Sequence, residues 1–167
     1  MRLDVRTVLL LRHPQGGEVL LLRRSATKKL FPNLITGIGG SVELKMGEAD
    51  ELESAVLREL EEETRISRSQ ISQPQLRLSS VLSRDDRQVV LLWYTAKSLQ
   101  VPSDLYCSEG ELNFYDPRNL PLADMVPTAR AAIPFVISLP DDDLITYNAV
   151  FNLTTLNLIH NRGVGRR

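Results

Sequence analysis

The chain reads as one α/β (α+β) domain, a sandwich in which strands and helices alternate along the sequence. Three observations predict it. Two short aliphatic runs, 5–12 and 18–24, are separated by His13-Pro14-Gln15-Gly16-Gly17, the pattern of a β-hairpin. Residues 50–64 carry Leu52, Ala55, Val56 and Leu60 at helical spacing. A second pair of apolar runs, 77–83 and 88–97, is divided by the polar turn at 84–87.

In chain order, 25–33 is polar and includes Lys28, Lys29 and Phe31-Pro32-Asn33, which predicts a loop after the hairpin. Gly37, Gly39 and Gly40 then crowd into four positions, a density that points to unusual backbone angles or a close approach of the backbone to another group. Asp50, three residues before Glu53, is suited to open the following helix as a capping box. Within 88–97, Val89-Val90-Leu91-Leu92-Trp93-Tyr94 is apolar without alternation, as expected of a central strand buried on both faces. Residues 112–115 predict a short strand ended by Asp116-Pro117. Residues 127–137 predict a second helix kinked or stopped at Pro134, and 145–153 a last strand. Residues 1–160 are read as the single domain and 161–167 as a basic flexible tail.

At 167 residues the chain is long enough for one sizeable core. A net charge of −1 gives no reason to expect a nucleic-acid partner or an anionic membrane surface. The single cysteine, Cys107, excludes an internal disulfide and fits a reducing compartment as a structural thiol. The apolar run at 7–11 is too short for a signal peptide or a membrane span, so a cytoplasmic location is expected. His13 and His160 read as separate surface residues, and no Ser-His-Asp or Cys-His set is evident.

The chemistry concentrates in Arg58-Glu59-Leu60-Glu61-Glu62-Glu63. Glu59, Glu62 and Glu63 stand at i, i+3 and i+4, so a helix gathers them on one side, where they repel one another. A solvated acidic face is one outcome of such a pattern; a hard divalent cation held between the carboxylates is the other. Together with the glycines upstream, residues 40–66 resemble the Nudix box, G-x5-E-x7-R-E-U-x-E-E-x-G-U with U aliphatic. Arg58, Glu59, Leu60, Glu62, Glu63 and Ile66 stand in register with its second half. Three departures are visible. Nine residues rather than five separate Gly40 from Asp50; Asp50 takes a Glu place for which Glu48 competes two residues out of register; Arg65 takes a Gly place. If that place requires a left-handed backbone, a non-glycine residue costs roughly 1 kcal/mol.

The resemblance, to MutT-like Nudix hydrolases and within them to the oxidised-purine nucleoside triphosphate subgroup, implies an α/β/α sandwich on a mixed β-sheet with 50–64 as the catalytic helix. It implies hydrolysis of a nucleoside triphosphate such as 8-oxo-dGTP to monophosphate and pyrophosphate, by direct attack of water on phosphorus. Glu59, Glu62 and Glu63, with the Gly40 carbonyl, are implied as ligands of Mg²⁺, or alternatively Mn²⁺, and Arg58 as the residue that holds a glutamate in place. Glu109, in a Glu109-Gly110-Glu111-Leu112-Asn113-Phe114 stretch similar to the subgroup's E-G-E-L-x-W, is implied as an added ligand or general base, with Glu111 as the alternative. Arg24, Thr36, Phe114 and Asp124 are implied in substrate binding, Phe114 by stacking on a purine. Phe114 as plain core and Asp124 as a cap for the second helix are the competing structural readings. A nucleotide is the expected partner, and a monomer or homodimer the expected state. Two rivals stand beside this reading: a hydrolase of ADP-ribose or another nucleotide sugar, and a non-catalytic nucleotide-sensing module on the same fold.

Overall fold

The computed structural model describes residues 2–45, 48–49, 51–84, 86–152 and 154–159. Among these, one open mixed sheet is sandwiched between two helices. Its strands are β1 (Arg2–Arg12), β2 (Val19–Arg24), β3 (Ile35–Thr36), β6 (Gln75–Arg84), β7 (Arg87–Lys97), β8 (Gly110–Tyr115), β9 (Tyr147–Asn152) and β10 (Thr155–Leu158). They lie in the order β10-β9-β6-β7-β1-β2-β3, with β8 also paired to β2. β1 and β7 run parallel from Arg2↔Arg87 to Arg12↔Lys97, and β6 and β9 are parallel as well; the other pairs are antiparallel.

The helices explain why the central strands are apolar without alternation. Leu10, Val19, Leu21, Leu91 and Trp93 face α2 (Pro127–Ser138), where Ala129, Ala132, Ile133 and Val136 complete one core. Their neighbours Leu9, Leu11, Leu20, Leu22, Leu92 and Tyr94 face α1 (Leu52–Thr64) and pack with Val56 and Leu60 in a second core. Each strand therefore feeds both sides of the sheet, and consecutive leucines divide between two hydrophobic clusters.

Several elements differ from expectation. The strand expected at 145–153 is β9 (Tyr147–Asn152), and an unexpected strand, β10 (Thr155–Leu158), pairs antiparallel with it. Pro134 neither stops nor divides α2, which runs to Ser138 and forgoes only the bond from residue 134 to the Arg130 carbonyl. Helix α1 starts at Leu52 with Glu51 at its N-cap and no side-chain cap; the expected capping residue Asp50 lies outside the described residues, as do His160 and the tail 161–167. The lengthened loop before α1 contains a short antiparallel pair, β4 (Leu44–Lys45) and β5 (Glu48–Ala49).

The C-terminal end of α2 is held by two arginines from the sheet. Arg12 donates through Nη2 to the Ile137 carbonyl at 2.9 Å, and Arg77 donates through Nη2 to the Pro140 carbonyl at 2.8 Å. Arg77 is 2% exposed, and its remaining side-chain hydrogen bond goes to Gln75 Oε1 at 3.2 Å. The Pro140 carbonyl lies just past the end of α2 and also accepts from Asp143 N–H, while Arg77 Nε is buried without a partner, so the guanidinium is only partly satisfied. Replacing it removes charged hydrogen bonds and opens a cavity, so Arg77→Ala should lower the unfolding free energy by about 2–4 kcal/mol in urea denaturation.

Candidate functional site

The acidic side of α1 faces the chain segment at 38–42, which lies along β1. Leu9 N–H donates to the Ile38 carbonyl at 2.6 Å, Thr7 N–H to the Gly40 carbonyl at 2.9 Å, and Val42 N–H to the Val5 carbonyl at 2.8 Å. Gly39, at φ +151°, approaches β1 so closely that a β-carbon would lie 2.1 Å from the Thr7 carbonyl oxygen. A β-carbon on Gly40 would lie 2.4 Å from Glu59 Oε2. Gly39 is thus required by the neighbouring strand, whereas at Gly40 the space of the missing side chain is taken by the movable Glu59 carboxylate.

The three glutamates differ in environment. Glu63 is 9% exposed, and its Oε2 is buried without a hydrogen-bond partner. Burial, and after it the charges of Glu59 and Glu109, push its carboxyl from the ordinary 4.5 up to about 8, while the Gly39 N–H and Lys28 act in the opposite direction. Glu59 is largely covered and accepts from Arg58 Nη1 at 2.9 Å. Glu62 is mostly exposed and accepts from the same nitrogen at 3.4 Å. Arg58 also donates through Nη2 to the Ser41 carbonyl at 3.1 Å, so one guanidinium ties two of the carboxylates to the loop that follows Gly40.

Glu109 joins this group from the loop before β8 and is ion-paired with Lys28. Its loop is fastened on both sides: Ser25 N–H donates to the Glu109 carbonyl at 2.9 Å, and Ser108 N–H donates to the Glu63 carbonyl at 3.2 Å. Cys107 is partly buried beneath it, and burial raises its thiol pKa. Glu111 is exposed on β8.

Among the described residues, no three His, Cys, Asp or Glu side chains form a ready-made cation cage. The chain's own cations, Arg58 and Lys28, hold Glu59 and Glu109 instead. The donors nonetheless fit a hard divalent ion. They are carboxylate oxygens, one of them is buried without a partner, and the Gly40 position leaves room for Glu59. The Gly40 carbonyl is already engaged by Thr7, which weakens its expected part as a ligand.

Arg65 closes α1 in the left-handed region, at φ +60° and ψ +10°, with its N–H donating to the Glu61 carbonyl at 2.9 Å. This is the geometry that favours glycine. The guanidinium of Arg65 lies 3.9 Å from the centroid of the Tyr106 ring. Such a contact contributes about 0.5–1 kcal/mol at exposed sites and offsets much of the backbone strain. It also attaches the end of α1 to the segment that leads to Glu109.

On the α2 side of the sheet a cleft of about 520 Å³ reaches Gly39 and Gly40. Arg24 and Thr36 line it, together with Phe31, Arg87 and an apolar floor that includes Val89 and Trp93. Phe114 and Asp124 are not among its lining residues. Phe114 packs in the core on the α1 face and meets His13 edge-on, with ring centroids 4.9 Å apart, so His13 is half-buried rather than a free surface residue. Asp124 pairs with Arg23 at 3.4 Å and does not cap α2, whose N-cap position is Val126. Lys28 and Phe31 had no motif to mark them; the polar loop 25–33 was their only signal.

A family model described as the NUDIX domain matches residues 2–135. A Nudix hydrolase from Nitrosomonas europaea has a similar solved structure, with a TM-score of 0.68 and 14% identity over 91% of this chain and 80% of its own. A MutT protein from Bacillus halodurans superposes with a TM-score of 0.61 and 17% identity over 89% of this chain and 88% of its own. The E. coli dihydroneopterin triphosphate pyrophosphohydrolase gives a TM-score of 0.63 and 18% identity over 83% of this chain and all (100%) of its own. No curated protein sequence matches. At these identities the solved structures show a shared fold.

The buried glutamate makes a prediction about the metal-free protein. Folded Glu63 keeps its proton to about pH 8, whereas unfolded it would release it near its ordinary 4.5, so the unfolded state binds fewer protons in between. The associated stability is fully present below pH 4.5 and is lost as pH rises to about 8. Thermal unfolding in a chelator should show this fall, and Glu63→Gln should flatten it. An equal slope in both proteins counts against a raised Glu63 pKa.

Proposed function

Because the chain belongs to the Nudix family of pyrophosphohydrolases, we propose that it uses Mg²⁺ or Mn²⁺ to cleave a nucleoside triphosphate into monophosphate and pyrophosphate. An oxidised purine nucleotide such as 8-oxo-dGTP is the favoured substrate. The observation that carries this reading is the buried, unpartnered Glu63 Oε2, set with Glu59 and Glu109 where the cleft reaches Gly39 and Gly40. Burial of a carboxylate without a counter-charge costs several kcal/mol, and a cation drawn to the site removes that penalty.

Glu59, Glu62 and Glu63 are the residues we assign to hold the ion, with Glu109 as a further donor or the base. For the backbone carbonyl, Gly39 is the better candidate. Its N–H is turned toward Glu63, which places its backbone beside the acidic group, whereas the Gly40 carbonyl is bonded to Thr7. When bound there, the ion supplies neutralisation of phosphate charge and activation of a water. The protein's own part is positioning. Arg58 fixes Glu59 and Glu62 against the loop after Gly40, and Lys28 restrains Glu109 until a substrate phosphate competes for the ammonium.

Product analysis separates the alternatives. A triphosphate yields pyrophosphate, whereas ADP-ribose yields AMP and ribose phosphate. Dihydroneopterin triphosphate, the substrate in the name of the E. coli relative, belongs in the same screen because it joins a planar bicycle to a triphosphate. A module that only senses nucleotides has no use for a buried glutamate beside a second acidic group, and tight binding without turnover is the result that would establish it.

Two outcomes follow. With Mg²⁺, the purified protein should convert nucleoside triphosphates to monophosphates, and Glu62→Gln should reduce the rate at least about 100-fold; unchanged turnover in that variant removes the metal-site reading. Gly40→Ala should keep the fold, because the clashing group is the flexible end of Glu59, and yet lose about 10–100-fold of the rate as that carboxylate is displaced. Circular dichroism melts run beside the assay separate the two effects.

A further inference from the structure

The loop between β2 and β3 contains a strain that the fold itself does not require. Phe31 has φ +53° and Asn33 φ +61°; asparagine is common in this left-handed region, whereas a bulky residue such as phenylalanine is disfavoured there. Such outliers persist when their surroundings over-determine them. Here Arg24 N–H donates to the Leu34 carbonyl at 3.0 Å, and Asn33 N–H to the Arg24 carbonyl at 3.1 Å. Arg24 Nε donates to the Leu30 carbonyl at 3.1 Å, and Arg23 Nη1 to the Asn33 carbonyl at 2.8 Å. Two consecutive arginines therefore grip the backbone on either side of Phe31.

The Phe31 ring belongs to neither hydrophobic core and is 39% exposed. It lines the 520 Å³ cleft above a floor of Val8, Leu82, Val89, Leu91 and Trp93, facing the start of α2 at Val126 and Pro127. An aromatic ring and an apolar floor lining one slot that reaches Gly40, beside which the Glu59 carboxylate lies, have the chemistry for a flat heteroaromatic ring whose phosphate tail extends toward the acidic helix.

Resting on the metal-dependent reading above, we propose that Phe31 is the base-stacking residue of this enzyme. Arg23 and Arg24 then act through the loop, presenting the ring in a fixed pose. Phe114, on the other face of the sheet, takes no part in base recognition.

Trp93, the single tryptophan, lies in the cleft floor and reports binding by its fluorescence without metal or turnover. In a chelator, the probes are 8-oxo-dGMP, dGMP, AMP and ribose 5-phosphate, the last of which lacks a base. Phe31→Ala should weaken the nucleotides by about tenfold, equivalent to roughly 1.4 kcal/mol, and leave ribose 5-phosphate unchanged. Phe31→Tyr should restore the affinity. Phe31→Gly should lose the same affinity while melting no lower than the parent, because glycine relieves the left-handed backbone; a purely structural ring would move stability instead. With Mg²⁺ and triphosphate, Phe31→Ala should raise KM about tenfold with kcat little changed.

Nucleotide affinities within twofold of the parent in Phe31→Ala overturn the proposal, as does a tenfold loss in Phe114→Ala alone or the absence of any base-dependent quench in the parent. Failure of hydrolysis with the binding contrast intact overturns the metal reading and leaves Phe31 as assigned. Hydrolysis with no binding contrast does the reverse.

Discussion

Glu63 lies on the same side of α1 as Val56 and Leu60, so the packing that buries the apolar stripe also carries its carboxyl into the seam against Gly39 and Gly40. The penalty for desolvating a charge there is met in the metal-free chain by retaining a proton. The surroundings are arranged around that one group. Gly39 turns an N–H toward it, Gly40 leaves space for its neighbour Glu59, and the Glu109 loop is hydrogen-bonded to the carbonyl of the same residue. Glycine pair and glutamate set therefore form one device: a larger residue at either glycine would shift the edge of the sheet or the carboxylate beside it.

The sheet makes this arrangement rigid. β1 is paired along its whole length with β7 on one side, and on the other it holds β2 and then the 38–42 segment. The floor of the cleft and the backing of the acidic helix are consequently two faces of the same strands. Val8 faces the cleft, and Leu9, its neighbour, packs in the core under α1. The cleft on one face and the acidic residues at the edge are thus registered to each other through backbone hydrogen bonds.

Much of this was legible from residue order. Strict spacing placed Leu52, Ala55, Val56 and Leu60 on a helix and Glu59, Glu62 and Glu63 beside one another, because a helix repeat is a local property. Glycine crowding at 37–40 signalled close backbone approach for the same reason. What escaped depended on long-range contacts. Phe114 shares its face with Leu112, and which face that is follows from the pairing of β8 with β2, which sequence alone does not supply. The strand β10 at 155–158 was missed, and Pro134 did not break α2 because burial of Ile133 and Val136 outweighs one missing hydrogen bond. Arg65 was legible as a departure, but its stacking partner Tyr106 lies forty-one residues later and carries no motif.

The loop at 25–34 joins the two ends of the site. Lys28, near its beginning, is paired with Glu109, and Ser25 N–H bonds to the Glu109 backbone; Phe31, three residues after Lys28, lines the cleft. Arg23 and Arg24 restrain the intervening carbonyls, so displacement of the ammonium from Glu109 cannot be absorbed freely by the loop. Lys28 and Phe31 are in this way held on one short, restrained segment. The strain at Phe31 fits this account: a loop held in an unfavourable backbone angle by fixed arginines has few other conformations into which it can relax.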